Sequence, residues 1–220
     1  MNMLFSLVWT ATAETLVMVF AAAFFSLLLG LPLGILLCIT GPESQGGIIP
    51  KPVLNNVLSR IVNILRSFPF IILMILLFPL SRIIVGTSIG TTATIVPLSI
   101  AAAPFVARII ETAIKEVDPG VIQAARAMGS TTMQIIRKVL IPEAMPSLVS
   151  GITLTIINLI GYSAMAGAIG GGGLGDLAIR YGYQRFRPDV MLVSVIVILV
   201  LVEVVQVIGN KVSARMMARR

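Results

Sequence analysis

Long runs of apolar residues without charge, separated by short polar stretches, dominate the chain. Thr15–Pro42 is uncharged between Glu14 and Glu43, and Ser67–Ser81, Ile83–Ala107, Ala144–Gly175 and Val190–Asn210 follow, the last interrupted by Glu203. A helix rising 1.5 Å per residue needs about 20 apolar residues to cross a hydrocarbon core of about 30 Å. Four of the runs reach that length unaided; Ser67–Ser81 has only 15 residues. It reaches span length when extended back through Val57, because Arg60 and Arg66 can carry their charges to the membrane boundary on long stems. The runs do not alternate as barrel strands do, and backbone in lipid must satisfy itself, so they read as helices. The expected fold is an all-α polytopic membrane protein with five transmembrane helices, one transmembrane domain over residues 1–220.

Small residues add detail. Gly30-x-x-x-Gly34 and Ala101-Ala102-Ala103-Pro104 permit close helix approach, although glycine and alanine are also simply common in membrane helices. Gly170-x-Gly172-x-x-Gly175 spells G-x-G-x-x-G but has no βαβ context. It reads as a bend or packing point at the end of the fourth span.

Composition agrees and narrows the function. Hydrophobic residues make up 57% of the 220, charged residues 11%, and mean hydropathy is +1.04. Disorder and a soluble basic nucleic-acid-binding domain are excluded. There is no histidine to serve as metal ligand or general base. The single cysteine, Cys38, has no intrachain disulfide partner. No residues in the pattern of a metal or catalytic site emerge, and none of the four lysines follows a glycine as a phosphate-binding loop requires.

The net charge of +7 has an uneven distribution. With five spans, Arg82, Arg180, Arg185 and Arg187 fall on one side, and the other twelve of sixteen basic residues on the opposite side, including Arg219 and Arg220. The positive-inside rule therefore predicts the N-terminus outside and the C-terminus in the cytoplasm. The N-terminal segment lacks the basic region of a cleaved signal, and its apolar run is too long for one.

The most informative polar stretch is the cytoplasmic loop 108–143, between spans three and four. Asp118-Pro119 predicts an N-cap with proline at the first helical position, and Gly129 a helix stop. Thr131-Thr132-Met133-Gln134 matches a T-x-x-Q capping box, starting a second helix expected to end before Pro142. The first helix carries Val121, Ile122, Ala124, Ala125 and Met128, and the second Met133, Ile136, Val139 and Leu140. Two alanines beside a glycine turn would admit another protein's backbone, with flanking apolar side chains filling a cleft. An amphipathic element on the inner leaflet, held by Arg126, Arg137 and Lys138, is the alternative.

Gln123-Ala124-Ala125-x3-Gly129-x9-Val139-x-Ile141-Pro142 resembles the EAA loop of ABC-importer permeases, E-A-A-x3-G-x9-I-x-L-P. Gln123 stands where the usual glutamate would be, which removes an ionic contact and leaves a hydrogen-bonding amide. The likeness extends over nearly all of residues 12–210. Asn63-Ile64-Leu65-Arg66-Ser67-Phe68-Pro69-Phe70 is similar to an element of amino-acid importers. Val85–Gly90, Ala103–Arg108 and Gly161-Tyr162-Ser163-Ala164-Met165 are similar to the methionine-importer branch.

The resemblance implies a permease in the bacterial inner membrane, paired with a second copy and two ABC ATPase subunits. A cytoplasmic coupling helix docks on the ATPase through Gln123, Ala124, Ala125, Met128, Gly129 and Pro142. ATP and Mg would be bound by the ATPase partner, with no cofactor or metal on this chain. A periplasmic or lipid-anchored methionine-binding protein would deliver substrate. Tyr162, Ser163, Met165, Ser67 and Pro69 are the candidates for the translocation pathway, Met165 as a gate suited to a thioether, with ordinary packing the alternative. Two rivals remain. A permease for another amino acid would differ in substrate only. An ion-coupled transporter would need an intramembrane acid, for which Glu203 alone qualifies. A membrane enzyme lacks any nucleophile beside a base.

Overall fold

The computed structural model describes residues 2–42 and 47–218; Glu43, Arg219 and Arg220 lie outside the described residues. Among those described there is no strand. Helices α1 (Asn2–Ile39), α2 (Pro52–Ser67), α3 (Phe70–Val85) and α4 (Thr91–Lys115) come first. Short α5 (Pro119–Ala127) and long α6 (Thr132–Gly167) follow, then α7 (173–183) and α8 (Pro188–Met217). α1, α4, α6 and α8 are each long and apolar enough to cross a membrane, and α2 with α3 makes a fifth span only as a bent pair.

That pair corrects the expected continuous span from Val57 to Ser81. α2 and α3 meet at 103°, because Phe68 precedes a proline and is pushed out of helical geometry. Pro69, at φ −60° and ψ 126°, stands outside α3 as its N-cap. The third span begins at Thr91 rather than Ile83. Gly86, at φ 82°, ends α3 and donates its amide to Arg82, a stop that hydropathy cannot register inside an apolar run. α4 also continues past Ala107 to Lys115, so the supposed loop 108–143 is largely helical.

The fourth span differs at both ends. Its helix starts in the loop at Thr132 and stops at Gly167, short of Gly175. The expected halt before Pro142 is absent because Ile136–Leu140 forms a π turn, with the Ile141 amide donating to the Ile136 carbonyl. The wider turn accommodates a ring that has no N–H and would press on the carbonyl four residues back. After α6 the chain turns through Gly170, Gly172 and Gly173, all at positive φ, where side chains are strained.

The helices supply two compact units. The first takes residues up to Ser26, Phe68–Ala102 and Leu154–Val207. Its core joins Met18, Val19 and Ala22 of α1 to Leu98 of α4 and Leu159 and Ile160 of α6. Within it α1 caps α7: Glu14 Oε2 accepts the Gly173 amide at 2.8 Å and Thr15 Oγ1 the Leu174 amide at 2.9 Å.

The second unit takes Leu27–Ser67, Ala103–Thr153 and the residues from Ile208. Gly30 and Gly34 lie against α4, where a Cβ would fall 2.8 Å from the Ala103 carbonyl and 2.6 Å from that of Ala107. The close approach expected of Gly30-x-x-x-Gly34 is therefore real. Gly34→Leu is expected to destabilise by about 3 kcal/mol, since the obstacle is backbone and cannot swing aside. Thermal unfolding in detergent checks this, and an unchanged midpoint would contradict the contact.

Candidate functional site

The site grows from local bonds around α5. Asp118 Oδ1 accepts the Gly120 amide at 2.7 Å, and Pro119 takes the first helical position, as expected. At the other end the Gly129 amide donates to Arg126 at 2.9 Å and the Ser130 amide to Ala125 at 3.1 Å. With Gly129 at φ 76° this is a Schellman stop. The capping box also forms, the Thr131 amide donating to Gln134 Oε1 at 2.8 Å and the Gln134 amide to Thr131 Oγ1 at 3.4 Å.

Packing then sorts the residues of α5. Ile122 and Ala125 are buried in one cluster with Ile110 and Ile114 of α4, Val117 of the connection to α5, and Ile135, Ile136 and Leu140 of α6. Ala125, grouped in sequence with the docking residues, is 3% exposed and is part of the seat instead. Gln123, Ala124, Met128 and Gly129 are exposed, as is Pro142 on α6, and Met128 is 79% exposed. Gln123, Ala124, Met128 and Gly129 thus present a small, flexible and uncharged patch, while Arg126 on the same helix and Arg137 and Lys138 on the following turns are exposed cations.

A buried charge supports the seat. Glu111 is 4% exposed on α4. It pairs with Arg108 at 2.5 Å and Lys115 at 2.8 Å, one turn away on either side. Arg108 also donates to Asn63 Oδ1 of α2 at 2.9 Å. The 108, 111, 115 spacing was visible in the sequence. It identifies a triad only once helix continues past Ala107 to Lys115.

The pathway candidates separate. Pro69 opens α3, and the next residue, Phe70, stacks on Tyr162 with centroids 4.5 Å apart and planes at 8°. Met165, one turn along α6 from Tyr162, is 47% exposed. A Cβ on neighbouring Gly161 would meet nothing within 4 Å. Ser163 is 1% exposed and its hydroxyl donates to the Ile160 carbonyl at 2.7 Å, so it faces the interior of its own unit. Ser67 is exposed at the end of α2 and donates to the Asn63 carbonyl at 2.8 Å. The structure thus sets Phe70, the residue after Pro69, against Tyr162, one turn from the half-exposed Met165, and buries Ser163.

Glu203 is exposed on α8. A recess of about 130 Å³ in the first unit is lined by Thr10, Glu14, Asp176, Arg180 and Tyr181. Its carboxylates are already engaged, Glu14 with the Gly173 amide and Asp176 with Arg180. Among the described residues no group of three or more His, Cys, Asp or Glu could hold a metal.

Residues 30–217 match the profile of the family described as binding-protein-dependent transport system inner membrane component. The chain belongs to that family. Every candidate residue of this inner-membrane transport component lies inside the matched stretch, whereas the capping residues Glu14 and Thr15 precede it. It is 50% identical to the probable D-methionine transport system permease protein MetI of Vibrio cholerae, over 95% of this chain and 92% of that one. It is 47% identical to the methionine import system permease protein MetP of Bacillus subtilis, over 93% and 91%. A chain of the solved inward-facing MetNI methionine ABC transporter superposes with a TM-score of 0.95 at 47% identity, covering 98% of this chain and 99% of that one.

Proposed function

We propose that this chain is the permease subunit of an ATP-driven methionine importer, with two copies forming the pathway and two ABC ATPase subunits on the cytoplasmic side. The observation that carries the reading is the end-to-end likeness, in sequence and in fold, to a chain of the MetNI methionine transporter. The exposed face of α5, seated on a rigid apolar cluster, supplies a site where an ATPase can push.

In this mechanism the ATPases close on binding ATP and Mg, α5 moves with them, and the pathway alternates between inward and outward access. A periplasmic or lipid-anchored binding protein delivers methionine from outside. The charge distribution supports an external N-terminus and a cytoplasmic C-terminus, which sets α5 on the ATPase side of a bacterial inner membrane. Tyr162 and Met165 suit a thioether substrate, one through an aromatic face and the other through a polarisable, adaptable chain.

The test is reconstitution with the partner ATPase in lipid vesicles and measurement of labelled methionine uptake. Uptake is expected to require ATP, to be competed by methionine in preference to other amino acids, and to survive Glu203→Gln. Uptake that ignores ATP and collapses with an ion gradient would overturn the reading, as would equal competition by unrelated amino acids.

A further inference from the structure

Arg126 is exposed on α5, yet it turns back onto its own chain. Its Nη2 donates to the Ile48 carbonyl at 3.0 Å and to the Gly47 carbonyl at 3.4 Å, 78 and 79 residues earlier. Those residues lie in the connection between α1 and α2, which is itself fastened to the end of α1. The amides of Ile48 and Ile49 donate to the Ile39 carbonyl at 3.1 and 2.9 Å, and the Lys51 amide to the Thr40 carbonyl at 3.0 Å. Asn55 of α2 adds bonds to the Leu37 carbonyl at 2.7 Å and to Thr40 Oγ1 at 3.1 Å. The Ile39 carbonyl at the end of α1, which a helix end leaves without a helical partner, is thus satisfied by the connection that Arg126 holds, and that of Leu37 by α2.

We propose that Arg126 is a positioning residue that straps the α1–α2 connection to α5, so that displacement of α5 is passed to the end of α1 instead of being absorbed between them. The proposal rests on α5 being the ATPase contact. A guanidinium suits the task because it presents several donors in a planar fork and keeps its charge. Ile48 also packs against the apolar cluster that seats α5, so the two elements share a floor as well as a clasp. Arg126 is not among the outward residues Ala124 and Met128, and docking and strapping are therefore separable.

The experiment compares wild type, Arg126→Ala and Arg126→Lys, each purified with the partner ATPase and reconstituted in vesicles. ATP hydrolysis and methionine uptake are measured on the same vesicles, and hydrogen exchange is followed at the amides of residues 47–51. Arg126→Ala is expected to keep the ATPase in the complex and to hydrolyse ATP near the wild-type rate. Uptake per ATP should fall about tenfold, exchange at Ile48 and Ile49 should rise, and Arg126→Lys should recover part of both. Unchanged uptake per ATP would overturn the proposal, as would unchanged exchange. Loss of the ATPase from the Arg126→Ala complex would overturn it too, because Arg126 would then be a docking contact. If wild type took up no methionine, the functional reading would fail, and the exchange measurement would still decide whether the strap exists.

Discussion

Ala124→Arg combined with Met128→Asp is expected to strip the partner ATPase from the purified complex and to lower ATP-driven uptake at least about 100-fold, the effect of losing roughly 3 kcal/mol from a docking contact. Both side chains are exposed, Ala124 on α5 and Met128 at its C-cap. One change adds bulk where a partner backbone must come close, and the other sets a charge in place of a flexible apolar filler. Neither touches the seat, where Ile122 and Ala125 are buried, so the permease alone should keep its thermal midpoint. Ala125→Arg would be a different experiment, because it forces a long cation into the cluster of Ile110, Ile114 and Ile136 and acts through folding. Gln123→Glu supplies the informative control. It restores the family's usual carboxylate at an exposed position and should preserve the complex. Co-purification with full uptake in the double variant would remove α5 from the ATPase contact.

Glu111→Leu should be the most damaging single change to stability among the polar residues. It leaves Arg108 and Lys115 without the carboxylate that both approach within 2.8 Å. Breaking a buried pair by removing one partner costs about 3–5 kcal/mol. Here the two cations retain 24% and 30% side-chain exposure, which screens part of the loss. A cost of about 2–4 kcal/mol remains, or a fall of roughly 5–10 °C in the midpoint for a chain of this size. Glu111→Gln, which keeps the shape and one accepting oxygen, should fall between. Scanning unfolding of the detergent-solubilised permease measures both. An unchanged midpoint for Glu111→Leu would mean that the ion triad contributes nothing to the second unit.

The caps around α5 were legible in the chain because each depends on partners within a few residues. Asp118 needs only Gly120, Thr131 only Gln134, and Gly129 only its own freedom at positive φ. The apolar runs were legible for a similar reason, since the membrane imposes one requirement on every residue of a span. Boundaries inside those runs were not. A proline breaks the second span between α2 and α3, yet another at 142 is absorbed into α6 by a π turn. Residue type alone does not separate the two prolines, since the outcome depends on whether the preceding turn can widen to take the ring.

Composition, run length and cap chemistry established a multi-span helical protein with a structured element between its third and fourth spans. Those are local or averaged properties, and a chain carries them before it folds. Only packing decided that Ala124 faces outward while Ala125 is enclosed, because that depends on where α4 and α6 lie. Only packing set Ser163 in the interior of its unit and Tyr162 against Phe70. The bond from Arg126 to carbonyls nearly eighty residues earlier is the extreme case. Backbone carbonyls look alike at every position in a sequence, so nothing short of the fold could name the pair that this guanidinium would find.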